Sequence, residues 1–415
     1  MTFIDYAQRV FRYGPRGVVA WLCIKWGKIK AWFLFHCNAR CFNGISEPGV
    51  TLIGPFTGYN SLSKVMRDLL FMIRDAGIPF QALTTGGDGD SAQMGLEGLL
   101  TPVNKFQVKK YSLVLEMFEG LVPRNLVSGV ANIAFWEFED GFLPVYPTFS
   151  SKKHVIGMSD FVVDVLRKEL PSSVKVSKLL YPFRLDYGKI LLRNEARNRF
   201  KIPIGSFVVF FNFDFGSGFH RKNPEAAMRA FSIAINSIPD AVLVFKTMRS
   251  REFHKRVEYL ERLASQLGIE DKFVMINDYL SDADVISLTK ACDVYLSLHR
   301  GEGFGLGVAE AMSLGLPVVV SDYSATKEFC NEENSIPVPC KIVSPLPNQR
   351  DHLTYSYVSR WAEPDVTLAA QSLIRLRRDP VFRECLGRQA KVDIAEHFSV
   401  INFKSSIEKL LHLGC

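Results

Sequence analysis

The sequence predicts an α/β protein made of two doubly wound, Rossmann-like domains facing a cleft. Three observations predict it. Across residues 206–320, short apolar runs alternate with segments whose apolar residues recur at helical spacing. That alternation specifies a parallel sheet with helices on both faces. A second strand–glycine–helix unit starts near residue 50, and 415 residues exceed what one ordinary core organises. The expected division is an amphipathic extension over 1–50, a first domain over 51–185, a second over 186–395, and a C-terminal helix over 396–415 placed to cross back to the first domain.

In the first half, 50–53 is an apolar run followed by Gly54, Pro55 and Gly58. Leu62, Val65, Met66, Leu69, Leu70, Met72 and Ile73 then repeat at helical spacing, and Gly77 stands where a helix C-terminus favours glycine. Runs at 133–135 and 155–156 continue the sheet, and the Gly- and Asp-rich stretch 84–98 reads as a mobile loop. In the second half, 206–213 has the composition of a buried strand. Asn223-Pro224 supplies an N-cap with proline at the first helical position. Strands follow at 241–245, 273–276, 294–298 and 318–320. Helices follow over 252–267, from Ser281 to 291 with a capping box to Asp284, and over 307–314.

Composition narrows the function. With 47% hydrophobic and 22% charged residues, the chain is a folded protein. A net charge of +7 over this length does not call for nucleic acid; it fits a phosphorylated small molecule or an anionic surface. The 8 cysteines are scattered apart from Cys37 and Cys41, so no metal site is expected and the thiols read as reduced and cytosolic. Segment 17–37 is apolar and aromatic but carries Lys25, Lys28 and Lys30, which make a membrane span costly. Trp21, Trp26 and Trp32 beside these lysines suit a membrane interface; a helical arm packed on the protein's own body fits equally well.

The chemistry concentrates between the strand ending at Leu298 and the helix near Gly307, in HRGEGFGLGVAEAMSLGLPVVVSD. Gly301, Gly303, Gly305 and Gly307 alternate with other residues, so backbone amides are exposed at a helix N-terminus, where partial positive charge favours an anion. Glu302 lies in the loop and Glu310 in the early helix. Two carboxylates flanking an anion site suit a ligand with two polyol parts bridged by phosphate, such as a nucleotide sugar. Carboxylates serving only the helix dipole remain the plain structural alternative.

Glu302, seven residues and Glu310, within EGFGLGVAEAMSLGLPVVVSD and continuing to Ser324, Ala325 and Glu328, resemble the signature of retaining GT-B glycosyltransferases of family 4, the glycosyl transferases group 1. FDFGSGFHRKNPEAAMRAF resembles that family's first strand–loop–helix of the donor domain. GPFTGYNSLSKVMRDLL resembles its first glycine loop, with Gly54, Phe56 and Gly58 lining the cleft. FWEFEDGFLP resembles a segment of members that build bacterial surface polysaccharides, and GMSDFVVDVL the stretch before the interdomain linker. The likeness runs from about 51 to 415 and is densest over 205–330.

The resemblance implies roles. Glu302 faces the donor sugar and the charge developing at its anomeric carbon. The amides of Phe304 and Gly305 contact the sugar and that of Leu306 the phosphate, while Glu310 accepts from the ribose diol. Lys222 stabilises the leaving diphosphate. Many members carry an arginine five or six residues earlier, where this chain has Gly216 and Ser217; Arg221 or Arg300 is left to supply that charge. Where some relatives have a histidine near the reaction centre, the chain reads Trp136-Glu137; His299 is a cleft candidate and His154 a weaker one, a packed or capping role fitting either. Asp282 and Asp284 fit helix capping rather than a metal motif. No cofactor or metal is implied, only a nucleotide-sugar donor and a saccharide or lipid-linked acceptor. The implied setting is cytoplasmic, on the inner membrane face for lipopolysaccharide or capsule assembly. A nucleotide-sugar epimerase of the same architecture and an inactive sugar-nucleotide-binding subunit are the alternatives. A dinucleotide oxidoreductase is disfavoured, because no G-x-G-x-x-G follows the first strand of either domain.

Overall fold

A computed structural model describes residues 47–412 apart from 59–60, 86–94, 103–104, 106, 108–109, 118–129, 140–148, 150–151, 185–188 and 350–357. The aromatic-basic segment 17–37, Cys37 and Cys41, most of the glycine-rich stretch 84–98, and the end of FWEFEDGFLP lie outside the described residues. The expected fold class is found. Strands β1 (Glu47–Gly54), β2 (Phe80–Thr84), β3 (Tyr111–Met117), β4 (Val130–Ala134), β5 (His154–Gly157) and β6 (Lys175–Lys178) form a parallel sheet in the order 2-1-3-4-5-6. Helix α1 (Ser61–Asp75) follows β1 and buries Val65, Met66, Leu69, Leu70, Met72 and Ile73. Helix α2 (Asp160–Glu169) starts at Ser159, whose hydroxyl accepts from the Val162 amide at 3.2 Å.

The second sheet has the order 12-11-10-7-8-9 and is also parallel throughout. After α3 (Arg193–Arg199) it is built from β7 (Phe207–Asp214), α4 (Phe219–Lys222), α5 (Pro224–Ala234), β8 (Ala241–Met248), α6 (His254–Gln266), β9 (Phe273–Ile276), α7 (Asp282–Lys290), β10 (Val294–Ser297), α8 (Leu306–Ser313), β11 (Val318–Ser321) and β12 (Ile336–Val338). Residues 207–211 of β7 are buried one after another, as expected of a central parallel strand covered on both faces. Asn223 takes a left-handed conformation (φ 56°) between α4 and α5, and its side-chain amide donates to the Leu298 carbonyl at 3.0 Å. That bond ties the helix start after β7 to the end of β10.

Strands β13 (Cys340–Val343) and β14 (Trp361–Pro364) pair antiparallel, and helices α9 (Val366–Arg378), α10 (Pro380–His397) and α11 (Val400–His412) complete the described chain. Helix α11 packs on α1 and β3 of the first sheet. Its Phe403, Ile407 and Leu410 are buried, and Ser406 accepts from the Leu180 amide at 2.8 Å. Strand order reverses between β1 and β3 in one sheet and between β7 and β10 in the other. In open parallel sheets such a reversal opens a crevice beyond the carboxyl ends of the strands.

Candidate functional site

The cleft lies at the reversal in the second sheet. The segment after β7 contributes Ser217, Arg221 and Lys222; the segment after β10 contributes Glu302 through Leu306 and, on α8, Glu310. The first domain adds Ser61, Leu62, Lys64 and Val65 from α1, Phe135 and Glu137 after β4, and Tyr181.

Local folding explains the loop. Gly305 is the N-cap of α8 at φ 94°, a left-handed backbone, and a Cβ there would stand 2.4 Å from Cγ2 of Thr326. The amide of Glu302 donates to the Ser324 hydroxyl at 2.8 Å, and Ser159 of the first domain donates to the Gly303 carbonyl at 2.8 Å. Phe304 stacks face to face on Tyr181, with centroids 3.5 Å apart and planes within 1°. The loop is therefore pinned from both domains, which fixes its carboxylate before any ligand arrives.

Glu302 is buried and meets two cations. Lys222 Nζ donates to Oε1, and Arg221 Nη1 lies 3.1 Å from Oε2. Burial by itself would raise this carboxyl, but Lys222 and Arg221 outweigh burial and hold it at about 2. The same burial disfavours the Lys222 ammonium, so each charge depends on its partner. Arg221 also donates to the carbonyls of Gly301 at 2.9 Å and Ser217 at 2.6 Å.

Glu310 sits in a different field. Burial pushes its carboxyl up to about 7 against the pull of Lys64, with Asp282 and Asp68 pushing the same way as burial. Lys64 Nζ is 3.8 Å from Glu310 and 2.6 Å from Asp68. With an ordinary value of 4.5, a raised carboxyl binds its proton more tightly in the folded state. Its contribution to stability is thus full below about pH 4.5 and fades as pH rises towards 7, by about 3 kcal/mol in order of magnitude. Glu310→Gln should then melt with wild type at pH 5 and above it at pH 8 in thermal unfolding of the ligand-free chain. Parallel curves at both pH values would contradict that linkage.

The structure corrects several expectations. Arg300 does not line the cleft. Its guanidinium forks onto Glu363 at 2.6 and 3.0 Å, donates to the His220 carbonyl at 2.7 Å, and lies 4.7 Å from the Trp361 ring centroid. It anchors β14, and of the two arginines only Arg221 stands beside Lys222. Among the described residues Gly54, Phe56 and Gly58 do not line the cleft; Arg67 on α1 donates to the carbonyls of Phe56 at 3.0 Å and Gly58 at 2.6 Å. That turn braces α1, whose own first turns face the cleft. The space beside Gly216 is filled by Arg249, since a Cβ there would lie 2.0 Å from Nη2, and this guanidinium is forked onto Asp214 at 2.8 and 2.6 Å.

His299 is fully buried between Ser297, 3.1 Å away, and the Tyr323 carbonyl, 3.3 Å away. Burial lowers it to about 4, so it is a neutral packing residue. His154 lies on β5 against Ser177 at 2.9 Å, away from the cleft. Asp284 is capped by Ser281 and held by Arg199 at 2.9 Å, whereas Asp282 reaches the cleft and pairs with Arg67 at 3.5 Å.

Among the cleft residues not singled out from the sequence, three charged ones matter to the account. Glu137, raised by burial, lies 3.6 Å from Arg221 and faces Glu302 from the first domain. Lys64 and Lys246 are the others. The Trp-Glu pair directly after β4 was a usable signal for Glu137; a lysine inside an apolar strand was one for Lys246.

Residues 194–342 match the family model described as "Glycosyl transferases group 1". A serotype-specific mannosyltransferase, WbdA, of Escherichia coli is 30% identical over 119 residues, 28% of this chain and 14% of that protein. The chain thus spans a small part of that relative's length. Among solved structures, the sucrose-phosphate synthase of Thermosynechococcus elongatus aligns with a TM-score of 0.61 and 14% identity, covering 88% of this chain and 99% of that one. Anabaena HepE in complex with UDP-glucose aligns with a TM-score of 0.64 and 12% identity, covering 88% and 100%. The chain therefore has the two-domain GT-B fold of solved glycosyltransferases, and the stretch 194–342, which holds Lys222, Glu302 and Glu310, carries the match to the group 1 glycosyl transferases.

Proposed function

We propose that the chain is a glycosyltransferase that moves a sugar from a nucleotide-activated donor to a saccharide or lipid-linked acceptor with retention of configuration. One observation carries this reading: at the reversal of the second sheet a buried glutamate, Glu302, is held by Lys222 and Arg221, with a second buried glutamate, Glu310, further along the same cleft. The match to group 1 glycosyl transferases over 194–342 supports it, and so does the fold shared with a protein solved with UDP-glucose.

The mechanism follows from charge exchange. Both oxygens of Glu302 are occupied by cations in the ligand-free cleft. A donor diphosphate brings its own negative charge to Lys222 and to the N-terminus of α8, where helix dipole and free amides stabilise anions. As the phosphate takes Lys222, sugar hydroxyls take the freed Glu302 carboxylate. The C1–O bond breaks with its electron pair going to the diphosphate, which these preorganised charges stabilise. The acceptor oxygen attacks C1 on the same face, and its proton passes to the departing phosphate oxygen. Glu310 accepts from the ribose diol, and Glu137 and Phe135 face the acceptor side. Lys222, Arg221 and the helix end supply the positive charge this requires, so the reading includes no divalent ion.

We place the activity in bacterial surface-polysaccharide assembly at the cytoplasmic membrane face, supported by the WbdA similarity and by the likeness of FWEFEDGFLP. No helix among the described residues is long and apolar enough to cross a membrane. The test is a thermal-shift panel of UDP-, GDP-, dTDP- and ADP-sugars on the full chain. A ligand that binds only the folded state raises the melting temperature. At least one donor should do so, and a panel without any shift would overturn the reading.

A further inference from the structure

Lys246 lies near the carboxyl end of β8, opposite Asn212 of β7 and Ile276 of β9. It is only 3% exposed, yet it lines the cleft. Among the described residues no hydrogen-bond acceptor or carboxylate pairs with it. An ammonium is expensive to bury without a partner, and natural proteins keep such a group where a ligand supplies the acceptor. Strand β8 is otherwise buried and apolar over 241–245, so the lysine is not there for packing.

Its surroundings say which end of the cleft it serves. Burial lowers Lys246 to about 8, and the charges acting on it are Asp214, Glu310 and Asp282. Those acting on Lys222 are Glu302, Arg221 and Glu137. The two lysines therefore belong to opposite ends of one cleft, Lys222 at the sugar end and Lys246 at the Glu310 end, near Tyr279 and Asp282. The charges acting on Lys246 are all carboxylates, whereas Lys222 has Arg221 beside it to offset Glu302 and Glu137, so a phosphate is better placed at Lys222. A neutral oxygen acceptor suits the Lys246 ammonium.

We propose that Lys246 binds the nucleobase of the donor by donating to a ring carbonyl oxygen, which admits uracil, thymine and guanine and disfavours adenine. This rests on the nucleotide-sugar reading and extends it to the base. Uracil, thymine and guanine each present a carbonyl oxygen, whereas adenine presents none. Selectivity then arises because adenine offers only acceptors set within its rings, and none projects to the position of a carbonyl oxygen where the ammonium donates.

The experiment is calorimetric titration of the full chain with UDP, GDP and ADP, for wild type and Lys246→Met, alongside the melting temperature of each ligand-free protein. Wild type should bind UDP or GDP more tightly than ADP. Lys246→Met should weaken the preferred nucleotide about 10- to 100-fold and leave ADP within about twofold, as expected when one charged hydrogen bond is lost. Methionine replaces an unpaired buried charge with an apolar chain of similar length, so the ligand-free variant should melt no lower than wild type. That result also shows that the variant folds. Equal weakening of all three nucleotides would overturn the base contact in favour of a phosphate contact, and unchanged affinities would overturn the role of Lys246. If wild type binds none of the three, nor dTDP, the failure belongs to the nucleotide-sugar reading itself.

Discussion

Glu302→Gln should lower the rate of sugar transfer or donor hydrolysis by roughly 10²- to 10³-fold, the usual loss when one preorganised group facing developing charge is removed. Glutamine keeps the shape but not the charge that Lys222 and Arg221 now neutralise. Two consequences separate this from simple misfolding. The ligand-free variant takes the carboxylate from half-buried Lys222 and leaves Arg221 with Glu137 at 3.6 Å, which lowers its melting point. Nucleoside diphosphate should bind the variant at least as tightly as wild type, because the phosphate no longer competes with Glu302 for Lys222. A variant that transferred sugar at the wild-type rate would remove Glu302 from the chemistry. One that bound diphosphate far more weakly would contradict the exchange of partners.

The complementary change, Lys222→Met, should act in the opposite sense on binding. It removes the ammonium that the diphosphate is expected to take over. Affinity for nucleoside diphosphate should fall about 10- to 100-fold, the range for one charge-assisted hydrogen bond. The rate should fall further, because charge on the leaving group grows as the bond breaks. Glu302 keeps Arg221 at 3.1 Å, so the variant should remain folded. Titration and initial rates on the same preparation check this; a loss confined to KM at unchanged kcat would mean that Lys222 binds the ground state only.

Much of the second domain was legible because its pattern is local. The apolar run at β7, Asn223-Pro224 at the start of α5, the Ser281 cap of α7 and the glycine loop before α8 each announce their structure within a few residues. The first domain was less legible for identifiable reasons. In β3, Glu116 is fully buried and accepts from Asn132 at 3.2 Å, so a polar residue interrupts what would read as a strand. In β2, buried Gln81 bonds Thr51 at 2.8 Å. Strand β6, Lys175–Lys178, lies at the sheet edge and carries little apolar signal.

The candidate site shows the same division. Glu302 and Glu310 stood out because their motif is contiguous, and Lys222 because it lies in a second local segment, 213–231. Arg300 was misplaced because its partner, Glu363, is 63 residues away and nothing local records that pairing. Lys64 reaches the cleft only through the juxtaposition of the two sheets, which spacing along the chain does not reveal, whereas the Trp-Glu pair and the lysine within β8 marked Glu137 and Lys246 without showing that they meet.

The central claim is that this cleft breaks the bond between a sugar and a nucleoside diphosphate. Incubating the full chain without acceptor, with whichever UDP-, GDP-, dTDP- or ADP-sugar raises its melting temperature, tests it most directly. The account predicts slow release of free sugar and nucleoside diphosphate by wild type and not by Glu302→Gln. Donor that binds but is recovered intact, or that accumulates as an epimer, would contradict it.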